Sequence, residues 1–296
     1  MAGYVNFNFN GTSDSRWINT KEVTRYDRYS KSLEERFLDD NYSSIKMGYN
    51  EPLPITAANP AKYVEFAYSG AEDHLQTVNY FGGEVRAPNI SAVDDSRAHT
   101  GQYSVRLNSG TRYGLNYQIP VRLYNQSLDP GEIERKKYEA RVWIHQDNVS
   151  TTFNYLYCNY ENSSGTSLKW DAARIGDAST IKAGEWYLLR LPIEIDNSST
   201  LLNCTRIEIG TWVPSSSGDV YFDDFRFAPV DAEIACFVYD PQTSQVTHIL
   251  DQDHLYTEYI YDDGGRLIQV FRETTENPTG KQLENEYDIH YKRPYN

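Results

Sequence analysis

Short stretches in which apolar and polar residues alternate recur through the middle of the chain. In Gln102–Leu107, Tyr103, Val105 and Leu107 fall on one face. In Tyr138–Ile144 the apolar face is Tyr138, Ala140, Val142 and Ile144. Trp186–Leu191, Arg206–Val213 and Val220–Phe227 repeat the habit. A period of two places alternate side chains on opposite faces of a β-strand. Between these runs lie Asn108-Ser109-Gly110, Asn162-Ser163-Ser164-Gly165 and Ser215-Ser216-Ser217-Gly218, which have the chemistry of turns. Strands of period two spaced by turns predict a β-sandwich or jelly roll over residues 69–229.

The flanks read differently. Residues 1–68 carry Tyr26-Asp27 and short helical signals at Ser32–Leu38 and Pro60–Ala67, interrupted by Pro52, Pro54 and Pro60. This segment is expected to be an ordered wrap with little core of its own. In residues 230–296 the pairs Tyr239-Asp240, Tyr261-Asp262 and Tyr287-Asp288 recur at spacings of 22 and 26, each after a strand-like stretch. After the second pair, Asp263-Gly264-Gly265-Arg266 predicts a turn into a strand over Leu267–Arg272. These are hairpin-sized units, and a lone hairpin is marginal in water, so they must stack on something.

Composition sharpens the picture without changing it. Twenty-five tyrosines against two methionines, with abundant Asn, Ser and Thr, suit strands and turns. The net charge of -14 argues against nucleic-acid binding, which needs a basic stripe. No apolar run reaches the ~20 residues that span a bilayer. The first residues show no basic-then-apolar leader, so the protein is made without one or this chain begins downstream of it. Cys158, Cys204 and Cys236 are widely spaced and read as small buried hydrophobes, with a single disulfide as the alternative.

Tyr261-Asp262-Asp263-Gly264-Gly265-Arg266-Leu267 resembles the signature of YD (Rhs-type) repeats. The segment from Val23 through Pro54 resembles the linker of Rhs-like surface proteins of Bacteroidetes-type bacteria. The middle of the chain, from Ala67-Tyr68-Ser69-Gly70 through Ala98-His99-Thr100-Gly101 to Asp223-Asp224-Phe225, resembles carbohydrate-binding-module jelly rolls. These resemblances imply an all-β fold: a jelly-roll sandwich flanked by YD-repeat-like hairpins. They also imply an extracellular or bacterial cell-surface setting. In jelly-roll modules a structural calcium often sits where the first strand, the Ala-His-Thr-Gly turn and the last strand meet. Here the matching residues are Glu72, Asp73, Asp95 of the Asp94–Thr100 loop, Asp223 and Asp224. Calcium takes six to eight oxygens, which carboxylates and loop carbonyls supply. Alternation would point only one of Asp223 and Asp224 inward. The alternative is that these acids face solvent or cap turns.

The residues themselves suggest a sugar platform. Opposite the apolar face of Tyr138–Ile144 lie Arg141, Trp143 and His145, and opposite Ile207 and Ile209 lie Glu208 and Trp212. Tryptophan among charged residues on a polar strand face can stack a sugar ring while its neighbours bond the hydroxyls. The alternative is that the flanking segments cover each Trp. Catalysis finds no support: paired acids are adjacent in sequence and so point to opposite faces, and no nucleophile, metal or phosphate motif occurs. The expectation is a non-catalytic interaction protein that docks on a larger surface or secreted partner through its repeat-like ends. A lectin-like module and a fragment of an Rhs-type toxin-delivery protein are the alternatives.

Overall fold

The computed structural model describes residues 19–73, 81–87, 92–119, 137–195 and 203–288. The architecture is all-β, and every strand pairing is antiparallel. The sandwich consists of two sheets. The inner one runs β12 (Ile181–Ala183), β13 (Trp186–Glu194), β9 (Lys137–His145), β15 (Val220–Pro229), β7 (Ser104–Leu107) and β6 (Val93–Asp94), and β5 (Ala67–Ser69) also pairs with β15. The other has four strands: β11 (Ser167–Arg174), β10 (Asn154–Glu161), β14 (Arg206–Trp212) and β8 (Arg112–Ile119). Their facing sides carry the predicted alternation. Val105, Leu107, Tyr138, Ala140, Val142, Ile144, Phe222 and Phe227 meet Leu115, Leu156, Cys158, Ile207 and Ile209 in one core. All three cysteines are buried and free.

The two flanking segments, far apart in sequence, form one sheet. The N-terminal strands β1 (Lys21–Tyr26), β2 (Ser32–Phe37), β3 (Tyr42–Gly48) and β4 (Leu53–Asn59) continue into β16 (Glu233–Tyr239), β17 (Val246–Leu250), β18 (Tyr256–Tyr261), β19 (Leu267–Glu273) and β20 (Lys281–Glu286). The seam is the β4–β16 pair, with Ala58 opposite Ile234 and Thr56 opposite Cys236. The helical signal at Ser32–Leu38 is overruled, because pairing with β1 and β3 satisfies its backbone on both sides. Around Pro60–Ala67 only the short 3-10 turn Tyr63–Glu65 forms. The N-terminal segment is also more than a wrap. Ile55, Ala58, Phe66 and Tyr68 share a second core with Ile234, Cys236, Val238 and Leu250. In the same region the buried Lys46 ammonium lies against the rings of Tyr63, Phe66 and Tyr117 and pairs with Glu84.

The nine-stranded sheet lies on the outer face of the inner sandwich sheet, giving three layers. A third cluster, Trp143, Ala183, Trp186 and Leu188 with Leu255, fills that contact. Strands β9 and β15 are therefore buried on both faces, and only one of those faces is legible as apolar in the sequence.

One turn recurs along the hairpins. At Asp27, Asp251 and Asp262 the side chain accepts hydrogen bonds from the backbone N–H groups two and four residues on. The fourth residue of each turn, Ser30, His254 or Gly265, has positive φ. Asp240 similarly accepts from Gln242 and Thr243 N–H. The pairs Tyr26-Asp27, Tyr239-Asp240 and Tyr261-Asp262 thus mark where a strand ends in an aspartate-braced turn. Asn162 in the sandwich makes the same bonds to Ser164 and Thr166, with Gly165 at positive φ. The motif therefore reports a turn geometry and does not by itself identify a repeat family.

Candidate functional site

Among the described residues the outer face of the four-stranded sheet is the one sandwich face with no further sheet packed on it. Register sets what it displays. Tyr157, Asn159 and Glu161 of β10 stand opposite Gly210, Glu208 and Arg206 of β14. Glu208 and Gly210 stand opposite Gln118 and Asn116 of β8, and Trp212 opposite Arg112. Trp170 of β11 lies across from Asn159. Trp170 stacks on Tyr157 at 4.7 Å between centroids and 8° between planes, and Trp212 meets Trp170 edge-on at 6.3 Å. The Arg112 guanidinium lies over Trp170 and Tyr157 at 5.1 and 5.6 Å.

Polar groups on this face are held in fixed positions. The Tyr157 hydroxyl donates to Glu208 at 2.7 Å, and the Gln118 amide donates to the other Glu208 oxygen at 2.9 Å. Burial, then the Glu208 charge, raises the Tyr157 phenol well above its ordinary range, so it stays a donor. Glu161 pairs with Arg206 and accepts from Asn159. Gly210 leaves room for this arrangement, since a Cβ there would lie 2.7 Å from the Asn116 Cβ and 3.2 Å from the Tyr157 hydroxyl. Trp170 is 36% exposed, and Tyr113 beside Arg112 is 40% exposed. The result is an aromatic rim of Trp170, Trp212 and Tyr113 with Arg112 that reaches solvent, set over a buried layer of Tyr157, Asn159 and Glu208.

The sequence-predicted sugar residues divide between two layers. Glu208 and Trp212 belong to this face. Arg141, Trp143 and His145 do not: they lie on the opposite side of the sandwich, Arg141 and Trp143 buried under the nine-stranded sheet and His145 buried against Trp186 and Tyr221. Trp143 is fully buried, donates to the His254 carbonyl at 3.0 Å and stacks on His99. Arg141 donates to the Gln252 carbonyl, and His145 packs edge-on against Trp186. They cannot form an exposed platform, because the turn over Asp251–Leu255 covers Arg141 and Trp143, and Trp186 and Tyr221 enclose His145. The face gains Tyr157, Trp170, Asn159 and Arg112, which sequence reasoning missed. Tyr157 lies on the polar-side period of a strand rich in tyrosine on both faces, so alternation did not single it out.

The residues expected to hold calcium are mostly engaged by protein donors. Glu72 accepts from Gln102 and Tyr103 N–H, both at 2.7 Å. Asp73 accepts from Gly82 and Tyr49 N–H, and Asp95 is exposed. A bulge in β15, with Asp224 at φ 48°, buries both Asp223 and Asp224, where alternation admits one. Asp223 accepts from the backbone N–H of His99, Thr100 and Asp224. Asp224 accepts from the Tyr68 and Thr100 hydroxyls and bonds the His99 ring at 2.7 Å. N–H and O–H donors thus engage Asp223, Asp224, one oxygen of Asp73 and one oxygen of Glu72, whose other oxygen is buried without a partner, and among the described residues no three carboxylate, histidine or cysteine groups converge as a metal site.

The His99 ring is clamped between Asp224 and Glu273, with its other nitrogen 2.7 Å from the Glu273 carboxylate. Burial opposes its charge, but the two carboxylates outweigh it and push its pKa up to about 10. This imidazolium joins the sandwich to β19.

No family model matches the chain, and no curated protein matches it. Among solved structures the sandwich is distantly similar to carbohydrate-binding jelly rolls. The C-terminal family 22 carbohydrate-binding module of Clostridium thermocellum Xyn10B is 13% identical, covers 57% of this chain and 96% of its own, and has a TM-score of 0.35. For CBM27-1 of Caldicellulosiruptor saccharolyticus the values are 14%, 55%, 90% and 0.26. The Stig cyclase Fisc of Fischerella sp. TAU gives 15%, 62%, 96% and 0.28. The two carbohydrate-binding modules and the cyclase score alike, and these resemblances do not choose between binding and catalysis. The YD/Rhs resemblance finds no support in these comparisons.

Proposed function

We propose that this chain binds carbohydrate through the outer face of the four-stranded sheet. One observation carries the reading: on the sandwich face with no further sheet packed on it, Trp170 and Trp212 reach solvent in a contiguous aromatic cluster with Arg112, backed by the buried Tyr157, Glu208 and Asn159. Aromatic rings stack the C–H faces of sugars, and fixed carboxylate, amide and guanidinium groups match hydroxyls that both donate and accept. An extracellular or cell-surface location is where such a face would meet polysaccharide.

The test is a glycan array followed by titration calorimetry on the strongest hit. Xylohexaose and mannohexaose, the sugars bound in two structures of similar fold, serve as soluble probes. Trp170→Ala, Trp212→Ala and Glu208→Gln should each weaken binding at least tenfold, about 1.4 kcal/mol, with unchanged circular dichroism. Absence of any glycan hit, or binding indifferent to all three changes, overturns the reading.

A second reading, docking on a larger surface or secreted protein, is favoured by the two ends of the nine-stranded sheet. Strands β1 and β20 are almost wholly exposed, with Tyr26 57% and Leu283 44% accessible. Unpaired strand edges accept a partner strand. A pull-down from the native cell envelope with soluble glycan as competitor separates the two: a stoichiometric protein that resists competition supports docking.

A further inference from the structure

A cleft of about 580 Å³ lies at the junction of the sandwich and the nine-stranded sheet. The β12–β13 turn and Trp186 form one wall, the loop at His99–Gly101 adds to it, and β17, β18, β19 and β20 form the other. The two walls are held together by close backbone packing of Gly184 against Gly280, whose Cα-borne hydrogen leaves no room for a side chain: a Cβ on Gly280 would lie 2.7 Å from the Gly184 nitrogen.

The cleft's polar groups are varied and partly unengaged. Glu258 and Lys281 pair at 2.6 Å on its rim, so the site carries both signs of charge. His248 stands directly across the ladder from Glu258. Burial pushes His248 down to about 4, so near neutral pH it is an uncharged imidazole, whose Nδ1 meets the Gly101 N–H at 3.4 Å and the Thr247 hydroxyl at 3.2 Å. Tyr256 meets both His248 and His99 edge-on, and its hydroxyl has no hydrogen-bond partner among the described residues. Trp186 completes the aromatic lining. Donors and acceptors are interleaved with aromatic rings, an arrangement that suits hydroxyl groups better than a single formal charge.

We propose that this cleft is a second saccharide site, so that one chain holds carbohydrate on both sides of the sandwich and bridges polysaccharide strands. The ligand class rests on the function proposed above. The two sites lie on opposite sides because the faces concerned point away from the shared core between the sandwich sheets. Binding at two points on one chain raises avidity for a polymer without any new contact.

The experiment runs the glycan array with the Trp170→Ala/Trp212→Ala double variant of the full chain, alongside the wild type. Residual glycan binding that falls at least tenfold on adding Tyr256→Phe or, separately, Glu258→Gln supports the cleft. Calorimetry of the wild type with xylohexaose or mannohexaose should then show two sugars per chain, and one after either set of changes. Tyr256→Phe removes only a hydroxyl, and an unchanged melting temperature separates lost binding from lost fold. No residual binding in the double variant overturns the cleft while leaving the open face intact. Binding indifferent to the tryptophan changes but abolished by Glu258→Gln supports the cleft and overturns the face. No glycan bound by the wild type overturns both.

Discussion

Asp251 shows how much one side chain can organise. Its carboxylate accepts from the N–H groups of Asp253 and Leu255, at 2.9 and 3.2 Å. The turn it braces supplies the His254 carbonyl to Trp143 and the Gln252 carbonyl to Arg141 and Arg226. Asp251→Ala leaves those N–H groups to find water, at a cost of about 1–2 kcal/mol. The expected result is a lower urea midpoint and a red-shifted tryptophan emission, since the lid over Trp143 loosens. On the opposite side of the molecule, Gly210→Ala should weaken sugar binding. Its new methyl collides with Asn116 and crowds the hydroxyl by which Tyr157 holds Glu208.

At the scale of elements, two further contacts dock the nine-stranded sheet on the sandwich. The first is His99 between β15 and β19. Its folded pKa of about 10 lies above its ordinary 6.5. A raised value means that the charged ring stabilises the fold fully below about 6.5 and loses that contribution as pH climbs through 10. Glu72, pushed up to about 8 by burial, acts in the same direction over a lower window, from its ordinary 4.5 upward. Urea unfolding at a series of pH values should therefore show stability falling from pH 6.5 to 10. His99→Gln should flatten the upper part of that slope and Glu72→Gln the lower part. The second contact is Gly184 on Gly280, where φ is +54° and +76°. Gly280→Val meets both a disfavoured backbone and a backbone clash. It should cost about 1–3 kcal/mol and raise hydrogen exchange in the β19–β20 hairpin.

For the whole molecule, the three layers make one folding unit. A chain ending at Pro229 would lose β16–β20 and bare the outer face of the inner sheet, with Trp143 and Leu188. It would also leave β4 without its partner at the seam. Such a fragment should bind a hydrophobic dye and aggregate, whereas the full chain should melt in a single calorimetric transition. Two separable transitions would show that the sheet and the sandwich fold independently.

Local alternation was enough to place the strands β7, β9, β13, β14 and β15, though not β8, β10 and β11 of the four-stranded sheet. Val105, Val142, Ile207 and Phe222 face a core because a period of two admits no other arrangement in an antiparallel strand. Turn chemistry at Asp262 and Asn162 was equally legible, since the side chain that braces each turn lies within four residues of the N–H groups it binds. What lay beyond the sequence was which polar-looking strand face another layer would cover. Trp143 and Trp212 occupy equivalent positions in alternating strands, yet the first is sealed beneath the Asp251 turn and the second lines the open face. That difference comes from strand β18, more than a hundred residues after Trp143, pairing into a sheet that begins near the other end of the chain. The bulge that buries Asp223 and Asp224 together, and the His99 clamp they serve, likewise arise from contacts between distant segments, which no local periodicity encodes.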